Sequence, residues 1–176
     1  LGALAAATSR IQIGVLVARA SLRPAAVTAS AFATLHRACG RLVGAIGAGD
    51  SESRAENEHF GLPFGTFADR LAALRATTVA ARDQGFPVWV GGTRQEVRAL
   101  AADEADGWNR WGGSPERFGA EAAGVYARAR RSPFECTWGG LVVVDRDDAR
   151  ARAKAARLAA GPGTLVGGPA TLARLL

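Results

Sequence analysis

Residues Ile11–Ala18 read IQIGVLVA, a run with no sustained polar alternation. A strand of that kind can be buried on both faces, the environment of a parallel sheet covered by helices. Comparable runs recur at Arg41–Gly47 (RLVGAIG), at Pro87–Val90 (PVWV) and over Glu135–Val144, the last taken as one strand. Helical patterns lie between them. Strand and helix in alternation, with apolar strands, predict an α/β fold. Right-handed crossovers then leave two architectures, a closed barrel or an open doubly wound sheet.

Start and stop signals place the helices. Arg23-Pro24 opens one whose expected apolar stripe is Val27, Ala31, Thr34, Leu35 and Ala38, and Cys39-Gly40 ends it. Ala48–Thr66 reads as a glycine-rich turn and polar loop, with Ser53 and Glu56 spaced as a capping box. Phe67–Gln84 is a helix with its stripe at Phe67, Leu71, Leu74, Thr78 and Ala81. Thr93 and Glu96 have capping-box spacing for a helix running to Ala105, and Ser114-Pro115 is an N-cap followed by proline. Asp147–Leu158 is a charged surface helix. Gly167-Gly168-Pro169 introduces a last helix that ends at Leu176.

The chain has a net charge of +6. Its arginines are spread through alanine-rich helices and alternate with Asp and Glu, which reads as solvated helix faces rather than a nucleic-acid groove. No apolar run is long enough to span a bilayer, and Leu1–Ala7 has no basic n-region of a secretory signal. Cys39 and Cys136 form neither a metal spacing nor a disulfide framework, so a reducing cytoplasm is the default expectation. The sequence contains no Met and starts inside a helical pattern, which suggests a part of a longer polypeptide. A measured mass above 18.2 kDa would support that, and an exact match would refute it.

Three segments are candidates for chemistry. Gly44–Asp50 (GAIGAGD) follows a strand at the edge where α/β proteins carry their sites. It lacks the third glycine of a dinucleotide fingerprint, and the chain has no Gly-Lys-Ser/Thr of a phosphate loop. A tight turn and a close backbone approach to a phosphate or ring remain open for it. Val88–Thr93 (VWVGGT) brings two glycines to a helix start, an arrangement that offers N–H donors to an anion. Leu16-Val17 reads by pattern as core. His36 reads as a plain helical histidine and His59 as an exposed loop residue; neither has a metal-ligand spacing. Trp108 and Trp111 flank Asn109-Arg110 and are candidates for a pocket wall.

Four stretches taken in order, IQIGVLVARASLRPAAVTASAFATL, GRLVGAIGAGD with its loop to FGLPFG, PVWVGGTRQEVRALAADEADGWN and LVGGPATLARLL, resemble the luciferase-like flavin- or F420-dependent oxidoreductases. The resemblance implies a (β/α)₈ TIM barrel of the bacterial-luciferase-like type and selects barrel over open sheet. A barrel takes about 250 residues, so residues 1–176 are expected to be one incomplete barrel domain. Its first two strands, and a strand between Arg82 and Phe86, are expected to be absent.

The resemblance further implies coenzyme F420, with FMN as the alternative, bound at the C-terminal ends of the strands. By position, Leu16-Val17 would carry a bulge with a non-prolyl cis peptide behind the ring. Ala48, Gly49, Asp50 and Arg54 would meet the polar side chain and phosphate, as would Gly91, Gly92 and Thr93. The implied reaction is hydride transfer with a small organic substrate. FMN monooxygenation, a non-catalytic flavin-binding member and a barrel for a phosphorylated metabolite stand as alternatives. A homodimer is expected by analogy, without nucleic-acid or membrane partners, and no residue is assigned as catalytic.

Overall fold

The computed structural model describes residues 1–161 and 163–175. Leu176, where the sequence reading ends its last helix, lies outside them. After a short helix α1 (Gly2–Ala7), strands β1 (Ile13–Arg19), β2 (Leu42–Gly47), β3 (Val88–Gly91), β4 (Gly107–Trp111) and β5 (Glu135–Gly139) form one sheet, in that spatial order. Every neighbouring pair is parallel. The crossovers carry α2 (Ala25–Cys39), α3 (Ser53–His59) with α4 (Phe67–Arg82), α5 (Gln95–Glu104) and α6 (Pro115–Arg128). Sequential parallel strands joined through helices are the repeating unit of the expected β/α barrel.

All six residues of β2 are buried, as its apolar run requires of a central strand. The principal core joins Leu42 and Ile46 of this strand to Val88 and Val90, to Phe32 and Leu74 of the helices, and to Trp108. Gly40 ends α2 in the left-handed conformation, its N–H donating to the His36 carbonyl at 2.7 Å. His36 itself packs against Phe86, ring centroids 5.7 Å apart.

Several local expectations are corrected. The buried face of α2 is Thr28, Ala29, Phe32 and Ala33, while Val27, Ala31, Thr34 and Ala38 are exposed and Leu35 is half-buried. Phe32 sets this face because it packs edge-on against Phe86 at 6.1 Å, and the many alanines gave little contrast to find it by. On α4 the expected stripe is the inner one: Leu74, Thr78 and Ala81 are buried, and Phe67 and Leu71 pack against the core.

Neither Ser53/Glu56 nor Thr93/Glu96 forms a capping box. Ser53 N–H and hydroxyl both donate to Asp50 Oδ1, and Glu56 is drawn into an ion pair with Arg19. Helix α5 starts at Gln95 with no side-chain cap. The capping box that forms is Thr66/Asp69, at the start of α4. Ser114 caps α6, as read, and Asp147, expected as the first residue of the charged helix, is its N-cap.

Glu135–Val144 is two strands rather than one. β5 ends at Gly139, where the Trp138 ring packs over Gly140, and β6 (Val142–Val144) joins a separate parallel pair with β7 (Leu165–Gly167). That pair is connected by α7 (Asp148–Arg157) and followed by α8 (Pro169–Leu175). β4 and β7 were not anticipated. Between Arg82 and Phe86, where a missing strand was expected, α4 ends and a turn leads into β3, which lies directly beside β2.

Candidate functional site

The C-terminal ends of β1 to β4 surround an open cavity of about 710 Å³. It is lined by all nine residues the resemblance singled out: Leu16 and Val17 from β1, Ala48 to Asp50 and Arg54 after β2, Gly91 at the end of β3, and Gly92 and Thr93 after it. The pairing of β1 with β2 slips between Val15 and Ala18, and the Leu16–Val17 peptide bond within this bulge is cis. Leu16 is exposed toward the cavity, and Val17 turns toward two glycines.

Those glycines have a packing reason. A Cβ on Gly91 would lie 2.6 Å from Val17 Cγ1, and one on Gly47 would overlap Val17 Cγ2. Gly47 and Gly91 are register partners, so one valine side chain occupies the hollow left by both. Gly49 and Gly92 answer to the backbone instead, with φ of +76° and +148°. Gly92 is held from two sides, its N–H donating to the Asn109 carbonyl at 3.1 Å and its carbonyl accepting from Trp108 Nε1 at 2.8 Å. The second glycine-rich turn is thus tied to β4 on both sides of Gly92. There the uncapped start of α5 borders the cavity through Thr93 and Arg94, an end that favours negative charge.

The loop after β2 is fastened to β1 by Arg19. Its guanidinium donates to Asn57 Oδ1 at 2.6 Å and to the Ser53 carbonyl at 3.2 Å, and it pairs with Glu56. Asn57, fully buried, donates in turn to the Pro63 carbonyl at 3.0 Å. This chain of bonds carries Phe64 into the cavity wall. Asp50, in the same loop, is held below the ordinary carboxylate range, chiefly by the hydrogen bond from the Ser53 hydroxyl and against the effect of burial.

Sequence reasoning missed Phe64, Phe67, Arg70, Arg94 and Asn109 as lining residues. Phe64 lay within the quoted FGLPFG, and Phe67 and Arg70 within a helix read only for its core face. Of the two tryptophans, Trp111 lines the cavity. Trp108 does not: it faces the opposite side of β4, fully buried and stacked on Phe118 at 5.9 Å. His59 lies outside the cavity, beside Phe60.

The model of the luciferase-like monooxygenase family matches residues 1–168. The chain belongs to that family. No curated protein sequence matches it significantly. Its fold is shared with solved structures of several enzymes. One is an F420-dependent secondary alcohol dehydrogenase in complex with an F420–acetone adduct, 18% identical with a TM-score of 0.71 over 88% of this chain and 56% of that one. Another is the coenzyme F420-dependent tetrahydromethanopterin reductase from Methanopyrus kandleri, 18% identical, TM-score 0.66, over 85% and 55% of the two chains. A third is the monooxygenase RslO1 from Streptomyces bottropensis, 15% identical, TM-score 0.71, over 99% and 68%. This luciferase-like chain thus spans little more than half of the first two. At these identities the likeness establishes the fold. No described helix is long and apolar enough to cross a membrane.

Proposed function

We propose that the cavity binds the deazaflavin coenzyme F420 and that the protein transfers a hydride between it and a small organic substrate. The observation that carries this reading is the gathering of the nine expected residues around one cavity at the C-terminal strand ends. The cavity volume lies within the usual range for cofactor pockets, roughly 300–1,000 Å³. Its lining suits a flat ring with a polar, anionic tail. Leu16, Val17 and Trp111 offer apolar surface, while Thr93, Arg54 and the uncapped end of α5 offer donors and positive potential.

The bound deazaflavin would supply the two-electron chemistry, and the protein binding, orientation and electrostatics. Leu16 and Trp111 would hold the ring plane and exclude water from it. The turns at Ala48–Asp50 and Gly91–Thr93 would hold the tail. A second reading keeps the site and exchanges the cofactor for FMN, because the α5 N-terminus suits a single phosphate equally well. We take residues 1–176 as one domain of a cytoplasmic homodimer acting on a small molecule, with equilibrium sedimentation as the check on the dimer.

Titration with F420 and with FMN, followed by fluorescence and visible absorbance, tests the reading. F420 should bind more tightly than FMN, and Thr93→Asp should weaken it about tenfold by placing an anion at the tail's end of the cavity. Thr93 is exposed, so this change spares the fold, whereas a side chain at Gly91 would strike Val17. Preference for FMN moves the protein to flavin chemistry, and binding of neither removes the cofactor reading.

A further inference from the structure

The strand-borne part of the cavity wall consists of Leu16, Val17, Gly47, Gly91, Asn109 and Trp111. The charged lining residues all stand beyond the strand ends, on loops and helix starts. Among glycine, aliphatic and aromatic neighbours, Asn109 is therefore the one side chain of the strand-built wall with an acceptor oxygen. It lies level with Gly47 and Gly91, to which the register of β2, β3 and β4 joins it, beside the hollow that Val17 fills.

Asn109 is 4% exposed, and its amide is held from one side. Its Nδ2 donates to Thr137 Oγ1 at 2.8 Å and to the Thr137 carbonyl at 3.4 Å, across the pairing of β4 with β5. A backbone carbonyl only accepts, so the NH2 edge of the amide must face Thr137, and this fixes which end carries the oxygen. Among the described residues, no group donates to Asn109 Oδ1. An almost wholly buried amide in the cavity wall thus has its donor committed and its acceptor free.

We infer that Asn109 is a specificity-determining residue, selecting a ligand that brings an uncharged N–H or O–H donor to this level of the cavity. Solvent satisfies an open acceptor, but a ligand that covers it must supply a donor or leave the oxygen unpaired. A carbonyl or carboxylate placed there would set acceptor against acceptor. Thr137 is the positioning residue that orients the amide. The inference rests on the reading of this cavity as a cofactor and substrate site, and it adds a contact outside the nine residues of that reading. The donor has two sources, the imide N–H of a deazaflavin or flavin ring and the hydroxyl of a substrate.

Calorimetric titration of the intact protein with two ligand pairs tests this. 5-Deaza-FMN and its N3-methyl derivative differ at the imide. Phenol and anisole, neither of which has a hydride to give, differ at the hydroxyl and are titrated with and without F420. In one pair the donor-bearing member should bind about tenfold more tightly than its methylated partner. Asn109→Leu, of similar volume, should shrink that ratio to about two, whereas a mere clash with the added methyl would survive the substitution. Thr137→Val should shrink it likewise, and Thr137→Ser, which keeps the hydroxyl, should preserve it. The ratio in the unaltered protein does not depend on how any variant folds. Preference within the deaza-FMN pair assigns the donor to the ring, and preference within the phenol pair assigns it to the substrate. Ratios near one in both pairs, or a ratio that Asn109→Leu leaves unchanged, overturn the inference, and the cofactor reading then stands if F420 or FMN still binds. A phenol preference that depends on Asn109, without binding of F420, FMN or 5-deaza-FMN, keeps the role of Asn109 and removes the cofactor reading.

Discussion

Val17 decides what can stand at positions 47 and 91. Gly91→Ala would put a methyl group 2.6 Å from its Cγ1, an overpacked contact among three strands. The expected loss is about 1–3 kcal/mol of stability. Val17→Ala in the same chain should recover most of it, and denaturant unfolding of the single and double variants measures both. The glycine motifs were legible as motifs, and their position at the strand ends was right. Their cause was not legible, because the atom a glycine avoids lies far away in sequence. Other lining residues were hidden for a related reason: Phe64, Phe67, Arg70 and Arg94 sit in a loop and two helix starts, and no spacing rule joins them.

At the level of elements, the apolar runs were read well, whereas among the expected helix starts the Ser114-Pro115 cap formed and the Ser53/Glu56 and Thr93/Glu96 boxes did not. β2 and β3 stand close to their expected bounds, and Ser114 caps its helix. β4 escaped because its buried positions include Asn109 and Arg110, which break the apolar pattern. Tertiary partners absorb both: Asn109 donates to Thr137 Oγ1 at 2.8 Å, and Arg110 pairs with Glu121 at 3.2 Å. Acid should loosen the β6–α7–β7 unit first at Asp148. Its carboxylate accepts from Gly168 N–H at 2.6 Å and from Thr171 Oγ1 at 2.9 Å, and these bonds, the backbone one foremost, hold it below the ordinary range. A carboxyl group depressed on folding stabilises above its unfolded pKa, and that contribution fades as pH falls through the folded value. The loss therefore belongs below about pH 4. Asp148→Asn should abolish this part of the acid response, read as the pH dependence of thermal unfolding in the two proteins.

On the scale of the whole molecule, the principal core contains none of Val143, Ala151 and Leu172, which are buried together in the last part of the chain. β6, β7, α7 and α8 make their main contacts with one another. Two groups of elements with separate cores open separately. Amide hydrogen exchange should show β6, α7, β7 and α8 exchanging well before Leu42–Gly47 and Val88–Gly91, and uniform protection across both would refute the division. The cavity is lined wholly from residues 16 to 111. The two groups thus divide the work: a substitution after Gly140 meets the buried set around Val143, Ala151 and Leu172, while the pocket wall is built wholly by the first four strands and the segments that follow them.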